Sequence, residues 1–146
     1  MKFKSLKYTT LFFIWSCLLI GCSVDDGRSE VSFNYELNKI VEVEIPETMR
    51  YESEYDLHID YEKSTTCQEF SGFNFELGDN ENERIISVVS HTIDRNNTCE
   101  KFKSPRIENR DFTFSVKRDD FYILKFYQGM DSLNQPIYLT KKVEIK

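Results

Sequence analysis

Apolar and polar residues alternate along much of this chain, and a two-residue period limits the possible folds more than any other feature of the sequence. In 39–45, Val41, Val43 and Ile45 would share one face of an extended segment, with two glutamates on the other. Successive side chains of a strand point to opposite faces, so the pattern predicts strands with one buried face. Similar alternation occurs in 54–61, 73–77, 112–116, 122–127 and 136–145, and 84–93 is a further predicted strand.

The same segments predict the fold class. The chain contains no alanine, the strongest helix former, and no segment has apolar residues at helical spacing. Segment 84–93 carries apolar residues on both faces, which is typical of a strand at the centre of a sheet. Seven short strands separated by polar turns predict an all-β fold, an antiparallel Ig-like β-sandwich, with a small closed barrel as the alternative.

One short motif supports the Ig-like prediction. The run Asp120-Phe121-Tyr122-Ile123-Leu124 resembles the tyrosine corner of Ig-like domains, in which a tyrosine near the start of a strand bonds back to the preceding crossover. An ordinary core tyrosine is the alternative interpretation.

The N-terminus has the three parts of an export signal. Lys2, Lys4 and Lys7 supply positive charge, and the apolar run 11–20 follows them. Ten residues are too few to span a bilayer as a helix, which needs about 20. A small residue, Gly21, then precedes Cys22.

The run Leu19-Ile20-Gly21-Cys22 resembles the lipobox of bacterial lipoproteins. The resemblance implies that a signal peptidase recognises Leu19, Ile20 and Gly21 and cuts before Cys22, whose sulfur carries a diacylglycerol. Several acyl chains anchor a protein stably to a membrane. The predicted organisation is a signal peptide (1–21), a lipidated tether (22–31) and a β-sandwich domain (32–146). An ordinary secretory peptide or an uncleaved anchor is the alternative.

As a whole, the chain resembles a small Bacteroidota lipoprotein with a single β-sandwich domain. Ser23 replaces the aspartate that retains many lipoproteins in the inner membrane, so the resemblance implies an outer-membrane location. Asp25 and Asp26 resemble an acidic surface-export tag, although Val24 interrupts it. The tag implies display on the cell surface, with a periplasm-facing domain as the alternative.

Charge limits the possible partners of the chain, and the cysteine content predicts a disulfide. Without 1–21 the chain keeps 16 basic and 25 acidic residues, a net charge near −9, which disfavours nucleic acid. Cys67 and Cys99 remain besides Cys22, and an exported pair predicts a disulfide. A hairpin through 78–83 would bring them together. A metal site formed by these cysteines with His58 and His91 lacks zinc-type spacing, so we expect neither metal nor cofactor.

Three loop features are candidates for contacts or modification. Asp94–Arg110 is a long predicted loop rich in basic residues, and we interpret it as a contact surface for an acidic or sulfated partner or, alternatively, as a loosely ordered crossover. Asp131-Ser132-Leu133 resembles the O-glycosylation acceptor of exported Bacteroidota proteins, which implies modification of Ser132. Segment 78–83 is either a calcium loop or a polar hairpin. The candidate contact residues of the first feature are Arg95, Lys101, Lys103 and Arg106, and a fifth basic residue, Arg110, ends the segment.

The sequence contains no G-x-S-x-G, H-E-x-x-H or phosphate-binding motif. We therefore expect a non-enzymatic binding or structural module of the cell envelope, with an envelope protein or a glycan as partner. The alternatives are an inhibitor of an envelope enzyme and a small carboxylate-based hydrolase.

Overall fold

The computed structural model describes residues 34–93 and 98–146, which contain nine strands and no helix. All seven predicted segments lie in strands, so the all-β prediction is confirmed, while two short strands, β1 and β3, were not predicted. The strands are β1 (Asn34–Asn38), β2 (Ile40–Glu44), β3 (Thr48–Met49), β4 (Glu54–Thr65), β5 (Gln68–Leu77), β6 (Glu83–Thr92), β7 (Lys101–Ser115), β8 (Phe121–Met130) and β9 (Pro136–Ile145).

Two sheets enclose one apolar core. The larger sheet contains β1, β3, β5, β6, β8 and β9, and the smaller sheet has the order β2-β4-β7. Leu57 and Ile59 of the smaller sheet and Ile86, Val88 and Leu124 of the larger one are fully buried in the same cluster. The architecture is therefore that of a β-sandwich rather than the alternative closed barrel.

Strand β6 is central to the larger sheet, as its two apolar faces predicted. Its partner along one edge is β5, in the hairpin that the sequence indicated around 78–83. Two strands share its other edge, β8 beside residues 83–86 and β1 beside residues 88–92. β1 thus pairs with the part of this edge of β6 that β8 does not reach.

The prediction of a wholly antiparallel fold is wrong for two strand pairs. β6 pairs with β8 in parallel, and β3 pairs with β9 in parallel. β7 lies between β6 and β8 in sequence but belongs to the other sheet. The chain reverses direction between β6 and β7 and again between β7 and β8, so β8 runs in the same direction as β6.

Bulges adjust which side chains face the core. In β2 the register shifts between Ile40 and Glu42, so Ile40 and Val43 are both buried while Val41 is only partly buried. An extra residue in one strand changes the alternation at that point. A second bulge, between Tyr127 and Gly129, requires a φ of 112° at Gly129, a conformation that L side chains rarely adopt.

Candidate binding surface

A disulfide ties together two connections between the sheets. The chain crosses from β4 to β5 at Thr66–Cys67 and from β6 to β7 through residues 93–100. Cys67 and Cys99 are bonded, with 5.3 Å between their Cα atoms, so the predicted disulfide is present. Beside it, the Thr66 N–H donates to the Glu100 carbonyl and the Glu100 N–H donates to Thr66 Oγ1, each at 3.0 Å. These contacts fix one end of the sandwich.

The predicted contact loop Asp94–Arg110 is mostly strand, which corrects the sequence interpretation. Residues 101–110 belong to β7, and Lys101 and residues 106–110 pair with β4, so the connection covers only residues 93–100. Arg95 lies outside the described residues. The sequence shows no alternation of apolar and polar residues here, because this half of β7 extends beyond the apolar core. It lies at a free sheet edge, where side chains on both faces are mostly exposed.

The basic residues of β7 nevertheless lie in an irregular, exposed segment. Lys63 of β4 pairs with Arg106, whereas Thr65, two residues later, pairs with Lys101. The five-residue step from Lys101 to Arg106 on β7 therefore lies opposite a two-residue step on β4, and the extra residues of β7 form a bulge. Lys101, Lys103 and Arg106 are all exposed. The Arg106 guanidinium lies 4.2 Å from the centre of the Phe102 ring, a cation–π distance.

A partly buried carboxylate organises the cations next to this bulge. Glu108 accepts a hydrogen bond from the Tyr61 hydroxyl at 3.1 Å and pairs with Lys63 at 3.2 Å and Arg110 at 3.7 Å. Burial opposes ionisation of Glu108, but the contacts with Lys63 and Tyr61 outweigh it and lower its pKa. Burial and then the bond to Glu108 raise the pKa of Tyr61 to about 12. Glu108 is thus ionised and Tyr61 neutral at physiological pH.

We name the group of cations at and next to this bulge the basic end of the smaller sheet. Arg110, at its inner limit, lies 5.2 Å from the centre of the Phe70 ring of β5, so the region continues onto the larger sheet. The predicted loop Asp94–Arg110 contained four of its cations, but the sequence missed Lys63, because only the pairing of β4 with β7 brings it near. The basic end consists of Lys63, Lys101, Lys103, Arg106 and Arg110.

The outer face of the smaller sheet carries the opposite charge. Glu44, His58 and Asp111 lie side by side across β2, β4 and β7, and Glu42 pairs with Asp60 in the next row. His58 Nδ1 lies 2.7 Å from Asp111 Oδ1. This hydrogen bond, together with the negative charges of Asp111, Asp60 and Glu44, raises the pKa of His58. An exposed imidazolium is therefore favoured on this acidic face.

The four residues considered for a metal site are not brought together. His58 lies on the smaller sheet and His91 on the larger one, while both cysteines are in the disulfide. His91 Nδ1 is instead 2.6 Å from the Ser71 hydroxyl, and its Nε2 is 3.8 Å from Glu69. The sequence did not indicate this contact, which depends on the pairing of β5 with β6. The described ranges contain no group of three or more His, Cys, Asp or Glu residues that could hold a metal ion.

Segment 78–83 forms a hairpin turn around one carboxylate. Glu83 accepts hydrogen bonds from the Asp79 N–H at 3.2 Å and from the Asn80 amide at 3.0 Å, and it pairs with Lys125 at 2.9 Å. The bond from Lys125 and then that from Asn80 lower the pKa of Glu83. Both carboxylate oxygens thus have partners within the protein, which favours the polar-hairpin alternative over a calcium loop.

Ser132 lies in the turn between β8 and β9 and is exposed. The preceding Asp131 stabilises this turn, since its carboxylate accepts the N–H groups of Leu133 and Gln135 at 2.8 Å each. The hydroxyl is therefore presented at the surface of a well-defined turn.

The lipobox residues Leu19, Ile20, Gly21 and Cys22 lie outside the described residues. Across 34–93 and 98–146, the structure contains no helix long and apolar enough to cross a membrane. Comparison with protein families, with curated proteins and with solved structures finds no match to this chain.

Proposed function

We propose that this chain is a lipoprotein of the outer membrane that acts as a non-enzymatic binding module of the cell envelope. Its β-sandwich would be carried on the tether 22–31, with Cys22 as the lipid anchor and display on the cell surface as the proposed orientation. The observation that supports a binding role is the basic end, where exposed cations cluster beside a disulfide on an otherwise acidic chain.

The chemistry of the basic end favours an acidic or sulfated envelope glycan or protein as partner. Lys101, Lys103 and Arg106 are exposed on a bulged strand, and the nearby disulfide limits the movement of that strand relative to β4 and β5. A prearranged set of cations loses less conformational entropy on binding than a mobile one. Electrostatic attraction would also accelerate encounter with a polyanion.

The Ig-like relationship is also part of this proposal. Tyr122, at the start of β8, is buried, and its hydroxyl accepts the Lys117 N–H at 2.9 Å, a contact like that of a tyrosine corner. The parallel β6–β8 pair departs from an antiparallel Ig-like sheet. We therefore propose an Ig-like sandwich in which the larger sheet is rearranged around β6.

The binding role is tested with a sulfated polysaccharide, heparin, as the probe. Changing Lys101, Lys103 and Arg106 together to Ser should weaken heparin binding at least tenfold and reduce the dependence of affinity on salt concentration. The matched control changes Lys117, Lys141 and Lys146 to Ser, which removes the same charge from exposed positions elsewhere. Equal weakening in both variants would contradict a specific role for the basic end.

The anchor is tested separately by metabolic labelling with a fatty-acid analogue. Cys22→Ala should abolish labelling and leave a larger precursor, because the signal peptidase requires the lipidated cysteine in the family that the lipobox resembles. A Cys17→Ala variant controls for loss of a thiol within the apolar run. Continued labelling of the Cys22→Ala chain would exclude Cys22 as the anchor.

A further inference from the structure

The free edge of β5 is apolar, and it is regular over residues 72–77, beyond a register shift between Phe70 and Gly72. Within the described ranges β5 pairs only with β6, so its other edge has no strand beside it. Phe75 is 46% exposed and Leu77 is 71% exposed near the end of this strand. An exposed, apolar edge is a template for pairing with another chain.

The other open edges carry features that discourage pairing, including Pro136, Lys141 and Lys142 on the part of β9 that β3 does not cover. β3 has two residues, and β1 has five and lies beside β8. β2 is short and bulged, and it carries exposed glutamates at 42 and 44. β7 has a large bulge containing Pro105, and charged residues follow it. Short strands, bulges, proline and charge are the usual protections of sheet edges, and residues 73–77 of β5 have one charged residue, Glu76.

An aromatic cluster supports this edge from the inside of the sandwich. Phe73 and Phe75 of β5 lie 5.1 Å and 5.7 Å from the Phe112 ring of β7, measured between ring centres. Phe75 is also 6.3 Å from Phe114. The edge is therefore held in place by packing between the two sheets, and the exposed part of Phe75 extends from a fixed position.

The sequence of this edge is complementary to itself. If two copies align antiparallel with a two-fold axis at Phe75, each Phe73 faces Leu77 of the other copy and each Asn74 faces Glu76. Two glycines, Gly72 and Gly78, then face each other at the ends of the paired segment. Directly opposed apolar pairs and amide–carboxylate pairs stabilise antiparallel strands.

We propose that this chain forms a homodimer in which the free edges of β5 from two copies pair antiparallel, with the two-fold axis at Phe75. The pairing would join the two larger sheets into one continuous sheet and cover the exposed parts of Phe75 and Leu77. Each residue of the interface serves both copies, as a two-fold interface requires. The dimer leaves the basic end free, because the paired segment lies toward the opposite end of β5.

The register is tested by disulfide cross-linking of full-length chains in the membranes of producing cells. One tagged chain carries Asn74→Cys and a differently tagged chain carries Glu76→Cys. Under mild oxidation, the mixed pair should cross-link at least tenfold more than two chains that both carry Asn74→Cys. In the proposed register, position 74 faces position 76 of the other copy and not its position 74. A chain with Glu42→Cys on β2 is the control for random collision. Absence of the mixed product, or equal products in all combinations, would overturn the proposal.

The interface is tested by sedimentation equilibrium of the purified full chain in density-matched detergent. Leu77→Lys should raise the dissociation constant of the dimer at least tenfold, since it places a charge against Phe73 of the other copy. Leu133→Lys changes a leucine that is 79% exposed in the β8–β9 turn and should leave dimerisation unchanged. A monomeric unmodified chain, or equal effects of the two substitutions, would overturn the proposal.

Discussion

Single side chains that link distant backbone segments determine how the strands meet. Tyr122 is the clearest case, because its ring packs in the core 4.9 Å from Phe114, between ring centres, while its hydroxyl accepts the Lys117 N–H. The ring and the hydroxyl thus position the turn before β8 relative to β7. Losing the hydroxyl would leave the Lys117 N–H without its partner in a partly buried site.

We expect Tyr122→Phe to lower the free energy of unfolding by about 1–2 kcal/mol, the cost of removing one partner of such a hydrogen bond. Urea denaturation followed by fluorescence would measure it. Tyr55→Phe is the matched control, since the Tyr55 hydroxyl accepts the Arg50 N–H at the same 2.9 Å in an exposed position. A loss at Tyr55 as large as that at Tyr122 would contradict the role of burial.

Sequence patterns identified some of these residues and missed others for a physical reason. Tyr122 was recognised because its motif is local in sequence. Glu108 was not, because its role depends on Lys63 and Tyr61, which the chain brings close only through the pairing of β4 with β7. Long-range partners of a polar residue leave no periodic signal in the chain.

At the scale of elements, the disulfide joins two connections rather than two strands. Cys67 lies between β4 and β5, and Cys99 precedes β7, with 32 residues of sequence separation. The closed loop contains the whole β5–β6 hairpin. The bond therefore restrains the hairpin relative to β4 and β7 at a single point.

We expect reduction of this disulfide to lower the free energy of unfolding by about 3–4 kcal/mol, from the entropy of the closed loop. Hydrogen exchange should show earlier loss of protection at the Thr66 and Glu100 amides than in β8 and β9, because these amides bond across the two joined connections. A Cys67→Ser, Cys99→Ser variant should be insensitive to reductant. Unchanged stability on reduction would contradict this account.

The sequence predicted which segments are strands better than it predicted their ends and partners. Alternation located 54–61 and 122–127 because these strands bury one face against the core. It failed in residues 101–110, where β7 extends past the core and both faces meet solvent. It also missed the bulge in β2, since an extra residue changes which positions face inward without changing composition.

At the scale of the whole molecule, charge is separated between surfaces. The outer face of the smaller sheet is acidic around His58, while the basic end lies where the same sheet extends beyond the core. Such an arrangement orients the domain in the field of a charged partner. The raised pKa of His58 reflects the negative potential on the acidic face.

The hydrogen bond to Asp111, followed by its charge and those of Asp60 and Glu44, raises the pKa of His58 above 6.5. Protonation of His58 therefore stabilises the fold below pH 6.5, and the contribution disappears as pH rises through the raised pKa. We expect Asp111→Asn to lower this pKa, as measured by NMR titration. Asp119→Asn, which removes a carboxylate from the turn before β8, should leave it unchanged, and an unaltered value in Asp111→Asn would contradict the assignment.

The way in which β4 and β7 pair has a consequence for the rate of folding. Leu57 faces Phe112 and Glu54 faces Ser115, so the main pairing of the smaller sheet must close loops of more than fifty residues. Folds dominated by such distant contacts fold in milliseconds to seconds, far more slowly than helical bundles. The β5–β6 hairpin is the local structure that can form early, and oxidation of Cys67 and Cys99 would bring the ends of β4 and β7 together. If the chain is exported as proposed, slow pairing of β4 with β7 would keep it unfolded during transport, and formation of the disulfide would then accelerate this pairing after export.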